Sequence, residues 1–139
     1  MGKKIEIEIA EHLERGMSLN EYQVKAMQTC LISSSNFAYM SFNLVGEVGE
    51  FCSKIAKAIR KSQIKIDENQ IVAKNEETSQ IWDRELFPEI RKELGDILWQ
   101  LSGLCDVMGV SFEEVALENL KKLADRQKRG VINGDGDNR

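Results

Sequence analysis

The sequence predicts an all-α fold, and three observations carry that prediction. Proline occurs once in 139 residues, far too rarely to punctuate a turn-rich β fold. Leu, Ile, Glu, Lys and Ala, which lose little in a helix, are abundant. Apolar residues recur at helical spacing in four stretches, each preceded by a residue able to cap a helix. With 139 residues, 42% apolar and 30% charged, the chain reads as a single domain over 1–139.

Residues 1–17 alternate as Ile5, Ile7 and Ile9 before turning helix-like, which leaves a strand and the lead-in to a helix both open. Ser18 with Glu21 three residues on forms a capping box, and Tyr22, Val24, Met27 and Leu31 follow as helix one, 19–32. The polar cluster Ser33 to Asn36 offers the next cap. Helix two, 36–62, is apolar from Phe37 to Ile59 and ends on Arg60 and Lys61, charges that suit a helix C-terminus. Residues 63–82 keep no sustained period and are expected as an inserted loop or small excursion. Asp83 is the expected cap of helix three, 84–108, with Pro88 in its first turn or at a kink. Its stripe is Ile90, Leu94, Ile97, Leu98, Leu101, Leu104 and Cys105. Gly109 ends it, and Ser111 with Glu114 opens helix four, which carries Val115, Leu117, Leu120 and Leu123 to 128. The tail 130–139 is rich in Gly, Asp and Asn. Its Asp135 to Arg139 run hints at a calcium loop but ends before the required glutamate.

Charge narrows the function. Nineteen Lys and Arg against 23 Asp and Glu give a net charge of -4, so no basic excess exists to hold a nucleic-acid backbone. Every long apolar run carries a charge before 18 residues, and acids interrupt the first 16. The expectation is a soluble, cytoplasmic protein with no membrane partner. Cys30, Cys52 and Cys105 cannot all pair within one chain and are expected as buried, reduced thiols.

Two acidic pairs stand apart. Glu47 and Glu50 lie in Gly46-Glu47-Val48-Gly49-Glu50 of helix two, Glu93 and Asp96 in Lys92-Glu93-Leu94-Gly95-Asp96 of helix three. Residues three apart on a helix are about 60° apart around the axis, so each pair projects from one face. A solvated face would carry further charges. Instead Glu47 and Glu50 are the sole charged residues between Phe37 and Ser53, and Asp96 is the sole one between Leu94 and Cys105. Unpaired carboxylates at about 4 Å repel by roughly 4 kcal/mol at an effective dielectric of 20, so a cation is needed among them. With His12 the one histidine and no His-rich or Cys-rich set, oxygen ligands point to Mg²⁺, with Mn²⁺ as its substitute, in preference to an imidazole or thiolate zinc site. Gly46, Gly49 and Gly95 fit either a close helix crossing or the approach of a ligand.

The ordered set G-E-V-G-E, K-E-L-G-D-I-L-W and E-N-L-K-K-L-A-D-R resembles the MazG-type nucleotide pyrophosphohydrolases of the all-α NTP pyrophosphatase superfamily. The resemblance covers about 36–139. It implies an antiparallel four-helix-bundle-like fold with an inserted loop between helices two and three. It also implies Mg²⁺ held by Glu47, Glu50, Glu93 and Asp96, and cleavage of nucleoside triphosphates to monophosphate and pyrophosphate. The gap between the two motifs, residues 51–92, is longer than most members show. The family's lysine falls on Lys54, either on phosphate or merely paired with Glu50, and its phosphate- or sugar-binding segment on Asn119, Lys122 and Arg126. Against a binding role for helix four stands its broad charge, which includes Lys121, Asp125, Lys128 and Arg129.

A triphosphate approaches four acids only if cations intervene, and in-line attack of water at the α-phosphorus needs positioning and charge stabilisation rather than a covalent nucleophile. Trp99 is placed to stack on a base or to pack in the core. Tyr39 and Asn43, one and two turns before Glu47, line the pocket or pack and cap. The expected function is a Mg²⁺-dependent nucleoside triphosphate pyrophosphohydrolase that clears deoxy- or noncanonical nucleotides. The competing readings are phosphoribosyl-ATP pyrophosphohydrolase and a non-catalytic, metal-binding helical oligomer. The resemblance further implies a homodimer or homotetramer.

Overall fold

The computed structural model describes residues 9 and 11–134, of which 11–15 are helical. In chain order there follow α1 (Leu19–Met27), a 3₁₀ turn (Ile32–Ser34), α2 (Phe37–Arg60), β1 (Ile64–Asp67), β2 (Gln70–Ala73), α3 (Glu76–Ile81), a π turn (Trp82–Leu86), α4 (Phe87–Val107) and α5 (Phe112–Lys128). The predominance of helix matches the expected all-α class. The chain divides into two compact units, Leu31–Leu104 and the residues on either side of it.

In the flanking unit, α1 is capped as its sequence dictates. Ser18 Oγ accepts from Glu21 N at 3.1 Å, Glu21 Oε2 accepts from Ser18 N at 2.9 Å, and Arg15 holds Glu21 at 2.7 Å. The helix stops at Met27, five residues before its expected end, where Thr29 N and Oγ1 both donate to Ala26 O. Buried Gln23 ties α1 to the start of α5: its Oε1 accepts from Phe112 N at 2.8 Å and its Nε2 donates to Val110 O at 3.1 Å. Asn20 adds a second tie, accepting from Ser111 Oγ and Glu113 N, while Tyr22 packs on Phe112. A helix N-terminus leaves orphan N–H groups, and two of these are satisfied from α1.

In the unit Leu31–Leu104, Asn36 caps α2 by accepting from Tyr39 N at 2.9 Å. The helix closes with Ser62 N donating to Ile59 O and Gln63 N to Ala58 O, the left-handed cap in which glycine is usual. Here a serine, Ser62 at φ 57°, takes it. Glycine serves at the ends of α4 and α5, where Gly109 and Gly130 have φ 71° and 70°.

Residues 63–82, the expected insertion, form a small excursion with short elements of their own. β1 and β2 pair antiparallel, with Ile64 opposite Ala73 and Asp67 opposite Gln70. Glu68 and Asn69, φ 45° and 65°, make the two-residue turn. Asn75 then caps α3 in a capping box with Thr78, so Asp83 caps nothing and lies in the π turn. The π turn has a local cause. Pro88 has no N–H and its ring crowds the carbonyl four residues back, and just before it Phe87 N reaches Trp82 O, five residues back.

The thiols also differ from expectation. All three are free, but Cys52 is exposed and Cys30 half-buried; only Cys105 is buried, and that burial pushes its pKa up. No helix among the described residues is long and apolar enough to cross a membrane. The calcium-loop hint at Asp135 to Arg139 lies outside the described residues, as does most of the open reading of 1–17.

Candidate active site

The candidate site lies within one unit, between α2 and α4. Glu47 meets Asp96, while Lys54 meets Glu89 and Glu93, so the two helices pass antiparallel here, as the family resemblance implied. One carboxylate oxygen each from Glu47, Glu93 and Asp96 falls within 4.8 Å of the others.

Glu93 is the unusual member. It is 5% exposed, which for a carboxylate demands partners. Its Oε1 receives Lys54 Nζ at 2.5 Å, whereas its Oε2 has no hydrogen-bond partner among the described residues. Leaving a buried acceptor unmade costs about 1–3 kcal/mol, and more for a charged one. A second positive group is therefore wanted where Asp96 and Glu47 converge. Three hard oxygen donors there fit an oxygen-liganded divalent cation and suit no thiophilic metal.

Glu47 is half-buried and accepts from Asn43 Nδ2 at 2.9 Å. Burial pushes its carboxyl above the ordinary pKa; Asn43 opposes the shift, and the charges of Asp96, Glu50 and Glu93 add to it. Glu50 is exposed and stands outside the three-carboxylate cluster, acting on it through its charge on Glu47. Lys54 does not pair with Glu50, as one expectation had it. It reaches across to Glu93 and, at 3.4 Å, Glu89, because acids on the neighbouring helix lie nearer than the one a turn away on its own. The hydrogen bond that Lys54 donates to Glu93 raises the pKa of the Lys54 ammonium above its usual value. Glu89, which sequence reasoning passed over, also pairs with Lys92, and the two lysines hold its pKa down, Lys92 the more strongly. Its signal was present: it stands four residues before Glu93, on the same face.

The glycines separate their two readings. A Cβ at Gly49 or Gly95 would meet nothing within 4 Å, and one at Gly46 would meet Asn43 Oδ1 at an ordinary 3.7 Å. No close backbone crossing among the described residues requires them, and space opens beside the acids. Trp99 is half-buried and Tyr39 is exposed. Asn119 and Lys122 are exposed on α5 in the other unit, whereas Arg126 on the same helix is buried, 5% exposed.

The site is thus an acidic cluster between two antiparallel helices, flanked by a lysine, that could hold a metal ion. Residues 36–131 match the family model of the MazG nucleotide pyrophosphohydrolase domain. The chain belongs to that family, whose members act on nucleotide pyrophosphate bonds. It is also 31% identical over 130 residues to the Gene 37 protein of Mycobacterium phage L5, covering 88% of this chain and all of that one. No solved structure matches the chain.

Proposed function

We propose that the chain is a Mg²⁺-dependent nucleoside triphosphate pyrophosphohydrolase, which adds water across the α–β bond and releases nucleoside monophosphate and pyrophosphate. The observation that supports this most is the cluster of Glu47, Glu93 and Asp96, in which buried Glu93 keeps one oxygen, Oε2, without a hydrogen-bond partner among the described residues. Mg²⁺, with Mn²⁺ as substitute, supplies charge neutralisation on phosphate oxygens and lowers the pKa of water.

Everything else falls to side chains. Glu47, Glu93 and Asp96 hold the cation, and Glu50, exposed beside them, completes the quartet. Asn43 fixes the rotamer of Glu47 through its 2.9 Å hydrogen bond. Lys54 pairs with Glu93 in the free protein; in this reading it donates to the oxygen that gains charge as the bond to the β-phosphate breaks. Trp99 faces the base in this reading. Substrate binding by Asn119, Lys122 and Arg126 is proposed on the family resemblance alone.

A homodimer or homotetramer belongs to the same proposal. Phe42, Val45 and Phe37 on α2 are 79%, 71% and 62% exposed, and apolar area of that extent on helix faces favours association.

A panel of ribo- and deoxynucleoside triphosphates and phosphoribosyl-ATP, incubated with Mg²⁺, tests the reading by resolving pyrophosphate from orthophosphate. Pyrophosphate release that stops with chelator is expected. Orthophosphate from a nucleoside triphosphate as the sole inorganic product, or no turnover of any member, overturns it.

A further inference from the structure

Beyond Lys54 the same two helices enclose a cleft of ≈ 230 Å³ that the carboxylate cluster does not use. Lys54, Lys57 and Lys61 line one wall, Ala58 and Ile90 are apolar lining, and Gln63, Leu86 and Glu89 complete it. The three lysines recur at i, i+3 and i+7, about 4.5 and 6 Å apart along the axis of α2. Side chains on a helix lean towards its N-terminus, which for these lysines is the direction of Glu93 and the carboxylates. Glu89 brings one negative charge, already shared by Lys54 and Lys92. Neither Lys57 nor Lys61 has an ion-pair partner among the described residues. The cleft thus offers two unspent ammonium groups next to a lysine that touches the proposed cation site.

A plain alternative exists for lysines at the end of a helix: they offset the negative end of its dipole. Arg60 has that benefit too, being in the last turn of α2, yet it does not line the cleft. The dipole explains the presence of positive charge in the last turn and does not explain its convergence on a recess. The far wall is also specific, because Leu86 belongs to the π turn before Pro88, and the turn sets where α4 begins.

We propose that this cleft receives the outer phosphates of the substrate: Lys57 and Lys61 bind the terminal phosphate beyond Lys54, and so select nucleoside triphosphates over diphosphates. The inference rests on the pyrophosphohydrolase reading and deepens it. Lys54 acts where charge develops on the leaving group, so its weight falls on kcat. Lys57 and Lys61 hold a phosphate whose charge is the same before and during bond cleavage, so theirs falls on KM.

The test compares wild type, Lys57→Ala/Lys61→Ala, Lys57→Arg/Lys61→Arg and Arg60→Ala. Inorganic tripolyphosphate binding is measured by calorimetry, and turnover is measured on matched nucleoside tri- and diphosphates. The double alanine variant is expected to weaken tripolyphosphate binding about tenfold or more, raise KM for the triphosphate comparably, leave kcat within about threefold and lose the preference over the diphosphate. The arginine pair restores binding, and Arg60→Ala matches wild type. The inference is overturned if wild type does not bind tripolyphosphate, if the double alanine variant binds it as wild type does, or if Arg60→Ala weakens it equally. Should wild type turn over no nucleotide, the functional reading fails while tripolyphosphate binding still reports on the cleft by itself.

Discussion

Replacing Glu47 by Gln removes one charge from the cluster while keeping an oxygen for Asn43 to donate to. Without metal, Glu47 shares the cluster with Glu93 and Asp96 at separations within 4.8 Å. At an effective dielectric of 20 each ionised pair at that distance repels by about 3.5 kcal/mol. Asp96 is exposed and solvent screens it, and Glu93 is partly neutralised by Lys54, so about 1–2 kcal/mol of net relief is expected. For a chain of this size that raises Tm by about 3–6 °C. Mg²⁺ at a hundred times its Kd would stabilise wild type by about 2.7 kcal/mol, and the variant forfeits that gain with the ligand. Thermal unfolding followed by circular dichroism, in chelator and in Mg²⁺, therefore reads opposite signs: the variant is more stable than wild type without metal and less stable with it, and inactive in both. A Tm in chelator below that of wild type, or a full Mg²⁺ upshift in the variant, refutes the reasoning.

Lys54→Met leaves both oxygens of buried Glu93 without a cationic partner, so Tm in chelator falls while Mg²⁺ restores most of the loss; an unchanged Tm in chelator shows that the ion pair contributes nothing. Gln23→Leu strips partners from Phe112 N and Val110 O and should cost about 2–4 kcal/mol, seen as a lower denaturant midpoint. For Glu21, Arg15 and the Ser18 N–H lower the pKa from 4.5 to about 2. A lowered carboxylate pKa contributes stability above the unfolded value that is lost as pH falls through the folded one. This contribution therefore fades between about pH 4.5 and 2, and acid titration of Glu21→Gln should lack that part of the slope.

Where local chemistry follows the usual residue preferences, the helices are legible from the sequence. Asn36, Ser18 and Ser111 cap as their types dictate, Gly109 ends α4, and the limits of α2 and α5 fall within two residues of those expected. Legibility fails where unusual residues take specialised roles. The hairpin turn uses Glu68 and Asn69 where Asn-Gly is the readable signal, and the α2 cap uses Ser62 where Gly is. The π turn has no periodicity of its own, so helix three, expected from 84, begins at Phe87, and the short helix α3 before the turn goes unread. At the site, the acids stand out because apolar neighbours isolate them. The partner of Lys54 does not, because the choice between Glu50 on its own helix and Glu93 across the groove depends on how near the helices come.

Along α2 the charges change sign once. Asn43, Glu47 and Glu50 come first, Lys54 stands at the boundary, and Lys57 and Lys61 follow in the cleft. One helix thus carries, in sequence order, groups suited to a cation and then groups suited to an anion. In the proposed complex a triphosphate would match this order, with its reacting end beside the acids that would hold the cation and its outer phosphate beside the lysines. The antiparallel helix faces both stretches with acids, Asp96 and Glu93 at the acidic end and Glu89 with Ile90 beside the lysines, so the change of sign belongs to α2 alone. A scaffold that only bound a metal would gain nothing from ammonium groups left unpaired about two turns or more past its acids. A hydrolase that must hold a triphosphate in register while its inner bond is cut gains orientation from both ends, and a substrate too short to reach the second end is the one it should handle poorly.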